Sequence, residues 1–278
     1  MTTAHTGITD HGTPFTLAVC AEMVHTELPL TQRVERIGAH GVAAEIWDWS
    51  RSDVDLDAIA RTGVPILSMT GYRRGDLITP DGIDALLGTA RESAQAARSL
   101  RNSVTGTPRL NLHGTGLDGD GIPRRPLETV TGEMWVQAAR TLEQIAALGE
   151  ELDVVFELEN LNSALDHPGV PFGRSEDTLA LVSAVGSPHL RLNLDLYHAQ
   201  IGEGNLIETC RRALPWIGQI QVADVPGRTQ PGTGEIAYRQ IATALAESGY
   251  TGIVAMEAWA AGDSDRAIDQ FIAAFSKI

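Results

Sequence analysis

The sequence predicts an α/β chain of the (β/α)8, TIM-barrel type, on three observations. Short apolar runs rich in β-branched residues alternate strictly with segments of helical spacing. That alternation implies parallel strands, and eight such units within 278 residues match the size of a (β/α)8 barrel. No Gly-rich GxGxxG turn follows an early strand, so the rival doubly wound open sheet lacks its signature. We expect a single barrel domain over 1–278, with 1–14 a flexible N-terminal segment.

Taken in order, the strand candidates are FTLAVC (15–20), VAAEIW (42–47), VPILSM (64–69), RLNLH (109–113), LDVVFELEN (152–160), LRLNLDL (190–196), IGQIQVAD (217–224) and GIVAMEAW (252–259). Each is short and apolar enough to be buried on both faces, as a parallel strand is. Segments with helical spacing follow them at 30–41, 54–63, 81–100, 134–152, 175–186, 204–214, 238–249 and 263–278. Several of these end in glycine, which a helix C-terminus prefers. The one long irregular segment, 114–132, follows the fourth strand at the end where such barrels carry their sites, and reads as a lid or as a solvated loop. Its DGDG string (118–121) lacks the acidic residue that closes a calcium loop and reads as a solvated turn.

A net charge of −15 argues against nucleic acid or an anionic membrane surface as partner and favours a small-molecule substrate. The two cysteines, Cys20 and Cys210, have no metal-type spacing and read as reduced thiols of a cytoplasmic protein. The N-terminus has neither a basic flank nor a continuous apolar stretch, so neither secretion nor membrane spanning is expected.

The chemistry is read from strand C-terminal ends, because in a barrel those converge on one mouth. The last four strands supply Glu159, Asp195, Gln221 and Glu257 at similar positions. Three carboxylates and an amide oxygen make an all-oxygen set suited to a hard divalent cation, Mg²⁺ or Mn²⁺. Singly, each has a plainer reading: Asp195 as a helix cap, Gln221 as a partner of backbone groups, Glu257 as an arginine's counter-ion. Glu157 shares the parity of Glu159 but lies deeper, where an unpaired carboxylate is costly, so it needs a structural partner.

LENLN (158–162), NLDLYHAQ (193–200), IGQIQVADVPGRTQPGTGEIAY (217–238) and GIVAMEAW (252–259), with ELPLTQRVERIGAHG (27–41) near the first helix, resemble the matching stretches of hydroxypyruvate isomerases. These sit within the xylose-isomerase-like sugar isomerase and epimerase superfamily. The resemblance implies a divalent metal held by Glu159, Asp195, Gln221 and Glu257, with Glu159 and Glu257 doubling as the acid/base pair. It also implies substrate contacts from His198 and Arg228, and dimers or tetramers as the assembly. His113 reads as a substrate contact or a hydrogen-bonded core histidine, and Glu45 as the family's second-strand glutamate, orienting His113 or the ligand. His167 falls in the family's substrate-side loop or in a surface turn, and Glu235 reads as part of a helix entry.

The chain also departs from that pattern. Cys20 stands where the family usually has Asn, Trp259 replaces a lysine that tends to follow the last-strand glutamate, and Trp47 and Trp49 replace a more Phe/Pro/Tyr-like segment. An indole at 259 removes a partner for a substrate carboxylate and adds a wall of the kind that stacks on sugar faces. Three functions therefore stay open. One is a metal-dependent isomerase of a short hydroxy-oxo acid (hydroxypyruvate or 2-oxo-tetronate type) acting through an enediolate. Another is a ketose 3-epimerase or isomerase of a neutral sugar, which Gln221 in place of the common histidine disfavours. The third is a non-catalytic sugar-binding barrel. A metal endonuclease would want more histidine ligands and a basic groove.

Overall fold

The computed structural model describes residues 8–100, 107–276 and 278. Its parallel strands close into a barrel in chain order: β1 (Thr16–Cys20), β2 (Ala43–Ile46), β3 (Ile66–Thr70), β4 (Arg109–Leu112), β5 (Val155–Glu159), β6 (Leu190–Asp195), β7 (Ile217–Val222) and β8 (Ile253–Met256). The helices are α1 (Leu30–Ala39), α2 (Leu56–Thr62), α3 (Pro80–Ser99), α4 (Gly132–Leu152), α5 (Ser175–Val185), α6 (Leu196–Gly202), α7 (Leu206–Ala213), α8 (Tyr238–Glu247) and α9 (Ser264–Phe275). This is the (β/α)8 fold that the alternation predicts. One helix lies outside the expected set: α6 follows β6 without a gap, because the Asp195 carboxylate accepts the backbone N–H of His198 and caps it. Of the segment 1–14, residues 1–7 lie outside the described residues, while the Thr9 N–H donates to the Gly41 carbonyl at 2.8 Å.

The described residues divide into two compact units, one within 1–69, 96–108 and 221–278, the other within 70–95 and 109–220. In the first, β1 pairs with β2 and with β8, setting Cys20 beside Glu45. Its buried layer is small and apolar: Ala18, Ala43, Leu67, Ile253 and Ala255. In the second, β5 lies between β4 and β6, so Asn111 adjoins Glu157 and Glu159 adjoins Asn193.

The second unit also buries polar side chains, among them Glu157, Glu159, Asn193 and Asp195. Phe156 and Leu158 are buried on one face of β5, and Glu157 and Glu159 point the other way. Glu157 is fully buried and has the partner its depth requires, the Arg109 guanidinium two strand positions before Asn111. Burial nevertheless holds its carboxyl above the usual range, against the pull of Arg109 and Arg191. Gly218 makes the room: a Cβ there would lie 2.1 Å from Glu157 Oε1.

Candidate active site

In the unit built on β4 to β6, Glu159, Asp195, His113 and His198 come together at strand ends. Glu159 Oε2 accepts from the Asn111 amide and lies 3.0 Å from His113 Nε2. His113 Nδ1 lies 2.9 Å from the Tyr72 hydroxyl, which in turn donates to the Thr115 carbonyl at 2.8 Å. Since that hydroxyl proton is spent on Thr115, Tyr72 accepts from His113 Nδ1–H. Burial first, and then the Glu159 charge, push the Tyr72 phenol far above its ordinary value, so it stays protonated in this role. His113 thus stands, partly exposed, between the Tyr72 phenol and the Glu159 carboxylate.

His198 follows Asp195 on the first turn of α6. Its Nε2 lies 3.9 Å from Glu159 Oε1 and 3.8 Å from Asp195 Oδ2. Asn162 fixes its tautomer. The Asn162 Oδ1 accepts the N–H groups of Leu165 and Asp166, so its Nδ2 must face His198 Nδ1 at 2.7 Å and Asp166 Oδ2 at 2.7 Å. With Nδ1 accepting, the His198 proton sits on Nε2, the atom turned toward the two carboxylates. Glu159, Asp195 and His198 are all buried, with one ligand atom of each within 4.8 Å of the others. The two carboxylates are oxygen donors of the kind that hold a divalent cation, and the His198 Nε2–H stands beside them as a hydrogen-bond donor.

His167 belongs to the same unit. It is buried, its ring edge meets the His198 ring at a centroid distance of 5.1 Å, and its Nδ1 lies 2.6 Å from the Gly121 carbonyl of segment 114–132. That segment is irregular, as expected, and its DGDG stretch is a turn in which Asp118 Oδ1 accepts the N–H groups of Asp120 and Ile122.

The other unit holds Glu45, Gln221, Arg228, Glu257 and Trp259. Glu45, at the end of β2, accepts from the Ser68 hydroxyl at 2.6 Å and from Gln221 Nε2 at 3.1 Å. The Gln221 amide nitrogen is thus turned to Glu45, and its carbonyl oxygen is the atom a cation would take. Glu257 accepts from two donors: Trp47 Nε1 reaches Oε1 at 2.7 Å, and Arg228 Nη2 reaches Oε2. Arg228 has a positive φ of 52°, held within a loop organised by the buried Asp224 carboxylate. Asp224 Oδ1 accepts from Val225 N and Ile236 N, and Oδ2 from Gly232 N and Thr233 N. The Trp259 backbone N–H donates to the Arg228 carbonyl at 2.8 Å, while the residue stays 44% exposed.

Two of the plainer readings thus describe real contacts, since Asp195 caps α6 and Glu257 faces an arginine, while Gln221 donates to the Glu45 carboxylate where backbone partners were expected. None excludes metal ligation, since an ionised carboxylate offers about four lone-pair sites. Sequence reasoning passed over Glu22, Tyr72, Asn111, Asn162 and Asp224. Asn111 had a usable signal, since it shares the parity of His113, and so had Glu22, two residues beyond the end of β1. Glu22 accepts the Trp47 N–H at 3.0 Å and sits 3.7 Å from Cys20 Sγ. Burial pushes its carboxyl up to about 6. The Cys20 thiol is raised in turn, by its own burial and then by the neighbouring Glu22, Glu257 and Glu45 charges.

Comparison with known proteins places this chain in a family. Residues 31–277 match the model of the xylose isomerase-like TIM barrels. A mouse protein named "Putative hydroxypyruvate isomerase" is 31% identical over 259 residues, 90% of this chain and 92% of that protein. Escherichia coli hydroxypyruvate isomerase is 36% identical over 105 residues, 38% of this chain and 40% of that protein. A solved structure of the IOLI protein with a binding zinc atom superimposes with a TM-score of 0.71 at 17% identity, covering 94% of this chain and 96% of the other. The chain belongs to the hydroxypyruvate isomerase family of enzymes, isomerases within the xylose isomerase-like TIM barrels.

Proposed function

We propose that this chain is a divalent-metal-dependent isomerase that moves a proton between adjacent carbons of a short hydroxy-oxo acid, of the hydroxypyruvate or 2-oxo-tetronate type. The observation that carries the reading is the pair of buried carboxylates, Glu159 and Asp195, at the ends of β5 and β6, with the His198 Nε2–H beside both. A zinc atom in a protein of the same fold supports a cation.

Glu159, Asp195, Gln221 and Glu257 are the residues that would hold Mg²⁺ or Mn²⁺. That assignment rests on their equivalent places at the ends of β5, β6, β7 and β8 and on their oxygen donors. When bound, the cation polarises a carbonyl and stabilises negative charge on its oxygen as the neighbouring proton leaves. His198, as Nε2–H, is a donor and serves a substrate oxygen. One of Glu159 and Glu257 takes the proton from the carbon beside the carbonyl, giving an enediolate, and a proton returned to the adjacent carbon completes aldose–ketose isomerisation. His113, bonded to Glu159, helps set that carboxylate, and Glu45 sets Gln221. Arg228 and Trp259 line the substrate side of Glu257.

A second reading, a ketose 3-epimerase or isomerase of a neutral sugar, draws on two features: the Arg228 guanidinium is turned to Glu257, and an exposed tryptophan stands at 259. Solvent deuterium incorporation followed by NMR separates the two. We expect metal-loaded protein to exchange a proton beside the carbonyl of hydroxypyruvate or a 2-oxo-tetronate, and EDTA to stop it. Exchange confined to neutral ketoses would favour the epimerase reading, and exchange on none of them would overturn both.

A further inference from the structure

We infer that Trp47 is a positioning residue that fixes the Glu257 carboxylate through its indole N–H. The inference rests on the proposed role of Glu257 and adds a residue that holds its carboxylate in place.

The geometry is specific. The Trp47 Nε1 lies 2.7 Å from Glu257 Oε1, while Arg228 Nη2 takes Oε2. With one donor on each oxygen, the carboxylate can neither rotate about its terminal bond nor close on arginine as a bidentate pair. Lone pairs remain on both oxygens for a cation and a proton. The indole N–H is only ever a donor and carries no charge, so it holds Glu257 without neutralising it.

Trp47 is itself held from behind. Its backbone N–H donates to Glu22 Oε1 at 3.0 Å, and the other Glu22 oxygen faces Cys20 Sγ at 3.7 Å. Cys20 is in register with Glu45 across β1 and β2, one residue before the strand ends at Ile46. Cys20 and Trp47, two of the chain's departures from its family, thus belong to one chain of contacts that ends on Glu257.

The test uses two variants of the full chain: Trp47→Phe, and Trp47 replaced by β-(3-benzothienyl)alanine, which keeps the bicyclic shape and loses only the N–H. We expect kcat to fall by about 10- to 100-fold in both, the range for removing a residue that orients a ligand, with KM within about twofold. Mn²⁺ affinity by calorimetry should fall in both as well, a readout independent of turnover. In the parent chain the Trp47 indole ¹H–¹⁵N cross-peak, assigned by its loss in Trp47→Phe, should move in Glu257→Gln. Normal kcat and normal Mn²⁺ affinity in the benzothienyl variant overturn the inference while leaving the proposed function intact if Glu257→Gln is dead. An active Glu257→Gln overturns the proposed role of Glu257 first, and the positioning role with it.

Discussion

In the unit built on β4 to β6, the buried acids Glu157, Glu159 and Asp195 meet ring or guanidinium nitrogens: Arg109 faces Glu157, His113 faces Glu159, and His198 stands beside Glu159 and Asp195. In the unit that holds β1, β2 and β8, the acids Glu22, Glu45 and Glu257 meet mainly neutral donors, namely the Trp47 backbone and indole N–H groups, the Ser68 hydroxyl and the Gln221 amide, with Arg228 as the cation on Glu257. The first arrangement supplies positive or protonatable partners locally. The second sets Arg228 against Glu257 and neutral donors against Glu22 and Glu45, and burial pushes the Glu22 carboxyl up. The lesson is that equal numbers of buried acids can be balanced by quite different chemistry, and the two kinds should fail differently when altered.

The sharpest contrast concerns catalysis. Glu159→Gln and Glu257→Gln are expected to lower kcat by about 10²- to 10⁴-fold, the usual worth of a positioned acid or base, with the far-ultraviolet circular dichroism unchanged. If either variant turns over at a near-normal rate, the two-carboxylate mechanism fails. Comparable losses in both would mean that the two kinds of surroundings serve one reaction equally.

A structural pair in the polar interior should behave otherwise. Arg109→Met leaves the fully buried Glu157 without the guanidinium that faces it, and breaking a buried pair from one side costs about 3–5 kcal/mol. Urea denaturation measures this loss, and a change below about 1 kcal/mol would show that Arg191 and neighbouring dipoles balance Glu157 without it.

The barrel was legible because its signal is repeated: eight apolar runs, each followed by a helical segment, overdetermine a parallel closed sheet. Strand-end acids were legible for a related reason, since a carboxylate beside an apolar run is conspicuous and its parity follows from the strand. The partner of Glu157 could be demanded but not named, because Arg109 lies 48 residues away and only the β4–β5 register joins them. Tyr72 and Asn162 were invisible for a different reason. They act from loops, where neither periodicity nor parity fixes a direction. Helix α6 escaped notice because its capping aspartate is also the strand's last residue, so one side chain ends one element and starts the next.

The smallest expected effect isolates the neutral-donor side. Glu22 is buried, and its carboxyl is raised from 4.5 to about 6. The folded state therefore binds a proton more tightly than the unfolded chain, so the stabilisation is fully present below about pH 4.5 and is lost as pH rises through about 6. Above that range the ionised carboxylate costs the fold about 2 kcal/mol, at 1.36 kcal/mol for each unit of the rise. Glu22→Gln keeps a carbonyl oxygen for the Trp47 N–H and removes the charge. Its urea midpoint should exceed the parent's at pH 7, and the two should converge as pH falls to about 4.5. A pH slope between 4.5 and 6 that persists unchanged in Glu22→Gln would assign the linked proton to another group. Loss of the slope without a gain at pH 7 would mean that the Glu22 charge also does favourable work, in holding the Trp47 backbone or in drawing a cation toward Glu257.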